Sequence, residues 1–198
     1  MNDKIAEKLH ELMSLQAETE WVEFKEAKQS FDFDDLGRYF SALSNEANLK
    51  RQQFSWLIFG VTDRLPRQIV GSNYRHQKPG LEKLKRELSK NTNHQITFTD
   101  VHELVVDDQR VVMFQIPPAP RGVPTTWHGI AYGRIHDSLG PLSLHKIEAI
   151  RRQAMEDWSA GICDGATIDD LDPEAVALAR KNYIKKNPKI TEEISCWD

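Results

Sequence analysis

The chain has 198 residues, 39% of them hydrophobic, and 26 lysines and arginines against 30 aspartates and glutamates, for a net charge of −4. That length suits one large domain, or one domain with an extension, and lets roughly 70% of the unfolded surface be buried. The composition excludes a disordered chain, and no apolar run approaches the ~18 residues that a membrane-spanning helix needs.

The N-terminal stretch is charged and amphipathic, unlike a signal peptide, and Ile5, Leu9, Leu12 and Leu15 recur at helical spacing, which predicts a helix over 4–15. Residues 21–25 alternate as a strand, with Val22 and Phe24 on one face and Trp21, Glu23 and Lys25 on the other. Asp34 or Asp35 is placed to cap a helix through Leu36, Tyr39, Phe40 and Leu43, ending near Asn45. Phe54 to Val61 is almost continuously apolar and reads as a central strand buried on both faces, with Thr62-Asp63-Arg64 as its exit turn. Gln68 to Gly71 reads as a short return strand, and Pro79 as the first turn of a helix through Leu81, Leu84 and Leu88. Residues 96–106 and 110–116 flank an Asp107-Asp108 turn as a hairpin, which the prolines after Ile116 terminate. Trp127 to Arg134 supplies one or two short strands around His128-Gly129. Ser143 opens a helix through Leu144, Ile147, Ile150 and Ala154, ending near Trp158. Beyond it the chain turns polar, and Asp172-Pro173-Glu174 opens a last helix that fails before Pro188. The pattern predicts an α+β core over 1–158, with a mixed, mostly antiparallel sheet and flanking helices, and a C-terminal helical extension over 159–198.

Charge is unevenly distributed. From Lys50 to His94 ten basic residues face three acidic ones, a net +7, whereas Ser159 to Asp198 carries a net −3. The acidic total therefore does not exclude a polyanionic partner. The chain has no phosphate-cradling glycine loop, no dinucleotide fingerprint and no nucleophile elbow. Its seven histidines form no metal-ligand spacing. Cys163 and Cys196 lie far apart without zinc or disulfide spacing, as expected of free thiols in a cytoplasmic protein.

The stretch that carries chemistry is Glu18-Thr19-Glu20-Trp21-Val22-Glu23-Phe24-Lys25. Glu23 and Lys25 leave one strand face, Glu18 stands just before the strand, and Asp63 ends the central strand. If these strands are neighbours, three carboxylates converge. Such a group repels itself by roughly 4 kcal/mol per pair at about 4 Å and needs a cation. An all-oxygen site of this kind suits Mg²⁺ or Mn²⁺, which can polarise a phosphodiester and activate water, with Lys25 stabilising the developing charge. The plain alternative is a solvated edge with a weak Glu23–Lys25 surface pair. Lys50, Arg51, Arg64 and Arg75 lie in loops around this region and are candidate phosphate contacts, while Lys83, Lys85, Arg86 and Lys90 fit the solvated face of an amphipathic helix.

ETEWVEFK over 18–25, the helix end Ser41-Ala42-Leu43-Ser44-Asn45 and the strand exit Gly60-Val61-Thr62-Asp63 resemble, in this order, the Schlafen-type AlbA-like domain. Tyr132-Gly133-Arg134-Ile135 and Pro141-Leu142-Ser143 are similar to its late arginine-containing element. The likeness spans roughly residues 15–155. It departs where the family has a glycine pair after the asparagine, since Glu46-Ala47-Asn48 stands here. The resemblance implies nucleic-acid binding, to RNA or DNA, with Arg134 among the contacts. It also implies a metal-dependent endoribonuclease site with catalytic Glu18, Glu23 and Asp63, the three carboxylates holding Mg²⁺ or Mn²⁺. Lys25 joins them as the fourth catalytic candidate on its position alone, two residues from Glu23 on the same strand face. Two rivals remain open: a non-catalytic DNA-binding module of a transcriptional regulator, and a sensor or interaction domain of a larger ATP-binding protein. The family further implies a homodimer for a lone domain, and a C-terminal region of the same chain beyond residue 198.

Overall fold

The computed structural model describes residues 2–15, 19–77, 80–135, 138–154 and 165–187. Glu18, Pro79, Asp137, Trp158, Cys163 and Cys196 lie outside the described residues. The chain divides into two compact units, 1–156 and 157–198.

The first unit runs α1 (Asn2–Met13), β1 (Val22–Lys25), α2 (Phe33–Leu49), β2 (Ser55–Phe59), α3 (Gly80–Ser89), β3 (Asp100–Val106), β4 (Gln109–Ile116), β5 (Thr126–Trp127), β6 (Ile130–Ile135), β7 (Ser138–Pro141) and α4 (Leu144–Arg152). One mixed sheet has the order β1-β2-β4-β3, with β1 parallel to β2 and the other two pairings antiparallel. A second, antiparallel sheet has the order β5-β6-β7. This is the α+β architecture expected, with α2 as the crossover between the parallel strands.

The alternation of β1 and β2 sorts two cores onto the two faces of the mixed sheet. Val22, Phe24, Trp56 and Ile58 pack with Leu9 and Leu12 of α1. Leu57 and Phe59 pack with Leu36, Phe40 and Leu43 of α2 and Leu84 and Leu88 of α3. Glu23 and Lys25 therefore point to the side that α2 covers, and all of β2 is buried, as its apolar run predicts. Trp21 does not share their face: it precedes the strand proper and packs with the α1 cluster.

Local chemistry sets the boundaries. The α2 N-cap is Asp32, whose carboxylate accepts from Asp35 N at 2.9 Å, rather than Asp34 or Asp35, which fall inside the first turn. The helix also runs on to Leu49, because the Asn45 side chain bonds sideways instead of capping. Asp107 and Asp108, with φ of 50° and 59°, form the two-residue turn of the β3–β4 hairpin, and His128-Gly129 forms that of β5–β6. The expected return strand shrinks to one bridge, Val61 with Ile69, and the last helix of this unit ends at Arg152 rather than near Trp158. β3 starts only at Asp100, after a short helical turn at Asn93–Gln95, and β7 was not anticipated.

The second sheet is fastened by a polar stripe of α2. Ser41 Oγ donates to Thr125 O at 2.8 Å and accepts from Tyr132 N at 3.0 Å. Asn45 Nδ2 donates to Thr125 O at 2.9 Å and to Tyr132 O at 2.8 Å, and its Oδ1 accepts from Thr125 N at 2.8 Å. Ser44 Oγ lies 2.8 Å from Thr125 Oγ1, and Asn48 donates to Ala119 O at 2.7 Å. Gly37 lets the Trp127 ring lie on the helix, since a Cβ there would stand 2.1 Å from it.

In the second unit, described over 165–187, α5 (Pro173–Lys186) begins as its sequence predicts: Asp172 accepts from Glu174 N at 2.8 Å and Pro173 opens the first turn.

Asn45→Ala removes three hydrogen bonds and orphans the buried Thr125 N–H. Urea unfolding should show about 2–4 kcal/mol less stability with an unchanged slope; a loss under ~0.5 kcal/mol would mean that the stripe does not hold the second sheet.

Candidate functional site

Under α2, where β1, β6 and α4 meet, six charged residues form one chain of contacts, joined at Arg134 through both its side chain and its backbone. Glu23 is 4% exposed, and its Oε1 lies 2.6 Å from Lys25 Nζ. Its Oε2 accepts from Arg134 Nη1, and that arginine is itself buried. Lys25 Nζ also stands 3.8 Å from Asp63 Oδ2 and 5.2 Å from the centre of the Tyr39 ring. On the other side, Glu46 is fully buried, and its Oε1 accepts from Arg134 N at 2.9 Å and from Lys146 Nζ at 2.5 Å. Lys146 Nζ bonds to Arg134 O at 3.2 Å as well, whereas Glu46 Oε2 is buried without a hydrogen-bond partner among the described residues. Three acids thus meet three bases. The Lys25–Asp63 end opens into a cleft of about 540 Å³ lined also by Glu26, Arg64 and Gln68.

Burial works against the Lys25 ammonium, but the Glu23 carboxylate, by charge and hydrogen bond, outweighs it with help from Tyr39 and Asp63, so the pKa lies above the ordinary 10.5. Burial raises the Tyr39 phenol above 10.0, and Glu23 adds to this against the opposing pull of Lys25 and Arg134. Both groups hold their protons more tightly in the folded chain. Their stabilising share is whole below about pH 10 and is lost as pH rises through the raised values.

The structure brings Glu23, Asp63 and Lys25 together, and Glu18 lies outside the described residues. The candidate phosphate contacts do not form one group. Lys50 and Arg51 precede β2 and Arg64 follows it, so they sit at opposite ends of that strand. Lys50 pairs with Glu20 at 2.5 Å, and Arg75 with Glu87 at 2.5 Å. Arg134 is buried against Glu23 rather than offered to solvent. Glu46, Lys146 and Tyr39 also belong to this site, though no sequence motif assigns them to it. The signal that could have pointed to Glu46 is the stripe Ser41, Ser44, Asn45 and Asn48, whose helical spacing marks a polar face turned inward.

A divalent ion on Glu23 would need a free carboxylate oxygen, and both are held by cations. Asp63 faces the same ammonium. The residues described do not fit an oxygen cage, and among them no group of three histidine, cysteine, aspartate or glutamate side chains could hold a metal ion.

These features define an α+β domain whose crossover helix seals a charge-neutral cluster under a second small sheet. The family model "Schlafen, AlbA_2" matches residues 18–143, and the chain belongs to that family. Among solved structures, the chain is similar to the DIP2311 protein of Corynebacterium diphtheriae, with a TM-score of 0.53 and 20% identity over 96% of this chain and 35% of that one. That likeness shows the fold, and the chain spans about a third of that protein's length. It also matches the N-terminal domain of a RecG-related protein of Nitrosomonas europaea, with a TM-score of 0.40 and 21% identity over 67% of this chain and 88% of that one. No curated protein matches.

Glu23→Gln and Arg134→Met should each cost about 3–5 kcal/mol, because each strands a buried partner, while the double variant should cost clearly less than their sum. Additive losses in urea melts would show that the two side chains do not couple. Wild type should lose stability as pH rises above about 10, where Lys25 and Tyr39 release protons, and Glu23→Gln should flatten that loss; equal slopes in the two proteins would remove Glu23 as its cause.

Proposed function

We propose that this domain binds nucleic acid through exposed cations of the segment from Arg51 to Lys90, without cleaving it. The carrying observation is the fate of that segment's charges. Two of its three acids are already matched, Asp63 by Lys25 and Glu87 by Arg75, leaving Glu82. Arg51, Arg64, Lys83, Arg86 and Lys90 are exposed and have no ion pair among the described residues. Lys83 and Arg86 lie on α3 away from the buried Leu84 and Leu88, and Lys90 follows in the turn that ends the helix, a row suited to successive phosphates. Family membership supports the same reading, since the resemblance implies a nucleic-acid partner. Cleavage by a metal-held carboxylate set is the weaker reading, because Glu23 has both oxygens engaged by Lys25 and Arg134.

Fluorescence anisotropy with labelled duplex DNA and a labelled RNA hairpin, over a salt series, tests this. Replacing Lys83, Arg86 and Lys90 together by glutamine should weaken binding to either probe and reduce the slope of log K against log salt by about 2–3. Unchanged affinity and slope would remove the α3 row. Long incubation of either probe with Mn²⁺ should leave it intact, and products that disappear in both Glu23→Gln and Asp63→Asn would establish the nuclease instead.

A further inference from the structure

We infer that Lys25 is the resident cation of the Glu23–Asp63 pair and that it keeps divalent metal ions out. The ammonium sits 2.6 Å from Glu23 and 3.8 Å from Asp63, where a shared ion would have to be. Three features hold it there. Glu23 is buried and fixed from behind by Arg134, so the carboxylate cannot turn to offer another oxygen. The Tyr39 ring lies 5.2 Å below the ammonium and adds attraction from its π face. The strand places Lys25 two residues from Glu23 on the same face, which makes the contact local and always available.

A divalent ion pays its own dehydration on entering. Here it must also push out a covalently tethered competitor and settle beside the Arg134 guanidinium. An Mg²⁺ or Mn²⁺ ion meets neither obstacle at an ordinary carboxylate pair. The opening towards solvent runs through the cleft lined by Lys25, Asp63 and Arg64, so a displaced Lys25 side chain has somewhere to go, and removing its charge leaves Asp63 on that opening and Glu23 Oε1 without its cation. The charge at residue 25, more than the acids themselves, then decides whether the site takes a metal. This inference is independent of nucleic-acid binding, and its test uses no nucleic acid.

The test is Mn²⁺ titration of the full chain, followed by electron paramagnetic resonance and calorimetry. Wild type and Lys25→Arg should bind Mn²⁺ equally weakly, and Lys25→Met about tenfold or more tightly. Adding Asp63→Asn to Lys25→Met should abolish the gain. Binding by wild type as tight as that of Lys25→Met would overturn the inference, as would a gain that survives Asp63→Asn. Should Lys25→Met fail to fold by circular dichroism, wild type and Asp63→Asn decide: equal weak binding supports the resident cation, and tighter binding by wild type overturns it.

Discussion

The structure depends on one constraint, the inward-facing polar stripe of α2. Ser41, Ser44, Asn45 and Asn48 lie on one side of a helix whose other contacts are Leu36, Phe40 and Leu43. Side chains of this type are poor helix interior residues unless their hydrogen bonds are made elsewhere. Here the backbone of Thr125, Tyr132 and Ala119 meets them. The short strands β5 and β6 could not form a stable sheet by themselves. Bound to the stripe, they are carried over the edge of the mixed sheet, and Arg134 is delivered onto Glu23.

That delivery explains why a glutamate can be buried on β1. A lone carboxylate under α2 would be expensive, and a half-paired one would be no better. Glu23 is matched on both oxygens, by Lys25 from its own strand and by Arg134 from the second sheet. Glu46 is matched less completely, through Oε1 alone, by Lys146 and the Arg134 amide. The close approach of β6 needs Gly133, whose missing Cβ would stand 2.4 Å from Leu142 and 3.1 Å from Glu46 Oε1. The ion cluster and the polar stripe are one device: the hydrogen bonds fix the sheet, and the fixed sheet neutralises the charge.

Most of the fold was legible in the sequence because its signals are local. The apolar run of β2, the alternation that separates Val22 and Phe24 from Glu23 and Lys25, and the Asp-Asp hairpin turn each depend on a few neighbours. The parallel pairing of β1 with β2 sets Lys25 opposite Phe59, so the turn that carries Asp63 comes within reach of Lys25, which is the contact shared with Glu23. What surrounds these groups was not legible. Arg134 lies 111 residues from Glu23 and Lys146 lies 100 residues from Glu46, and no periodicity reports a partner at that distance. An arginine that reads as a phosphate contact is therefore a buried counter-ion. The α2 boundary failed for a related reason: Asn45 looks like a helix end until its tertiary acceptors are known.

The same pairing changes what the net charge of −4 means. A charge sealed against its opposite contributes almost nothing to the field beyond the surface, because the two potentials cancel at a distance much larger than their separation. Glu23, Glu46 and Asp63 against Lys25, Arg134 and Lys146 sum to zero and largely drop out of the long-range balance in this way. What a polyanion meets is set by the exposed side chains that remain, and between Arg51 and Lys90 those are mainly basic. The buried cluster, the most conspicuous charge in the molecule, therefore adds little to the outer field, which the less conspicuous solvent face of α3 does more to set.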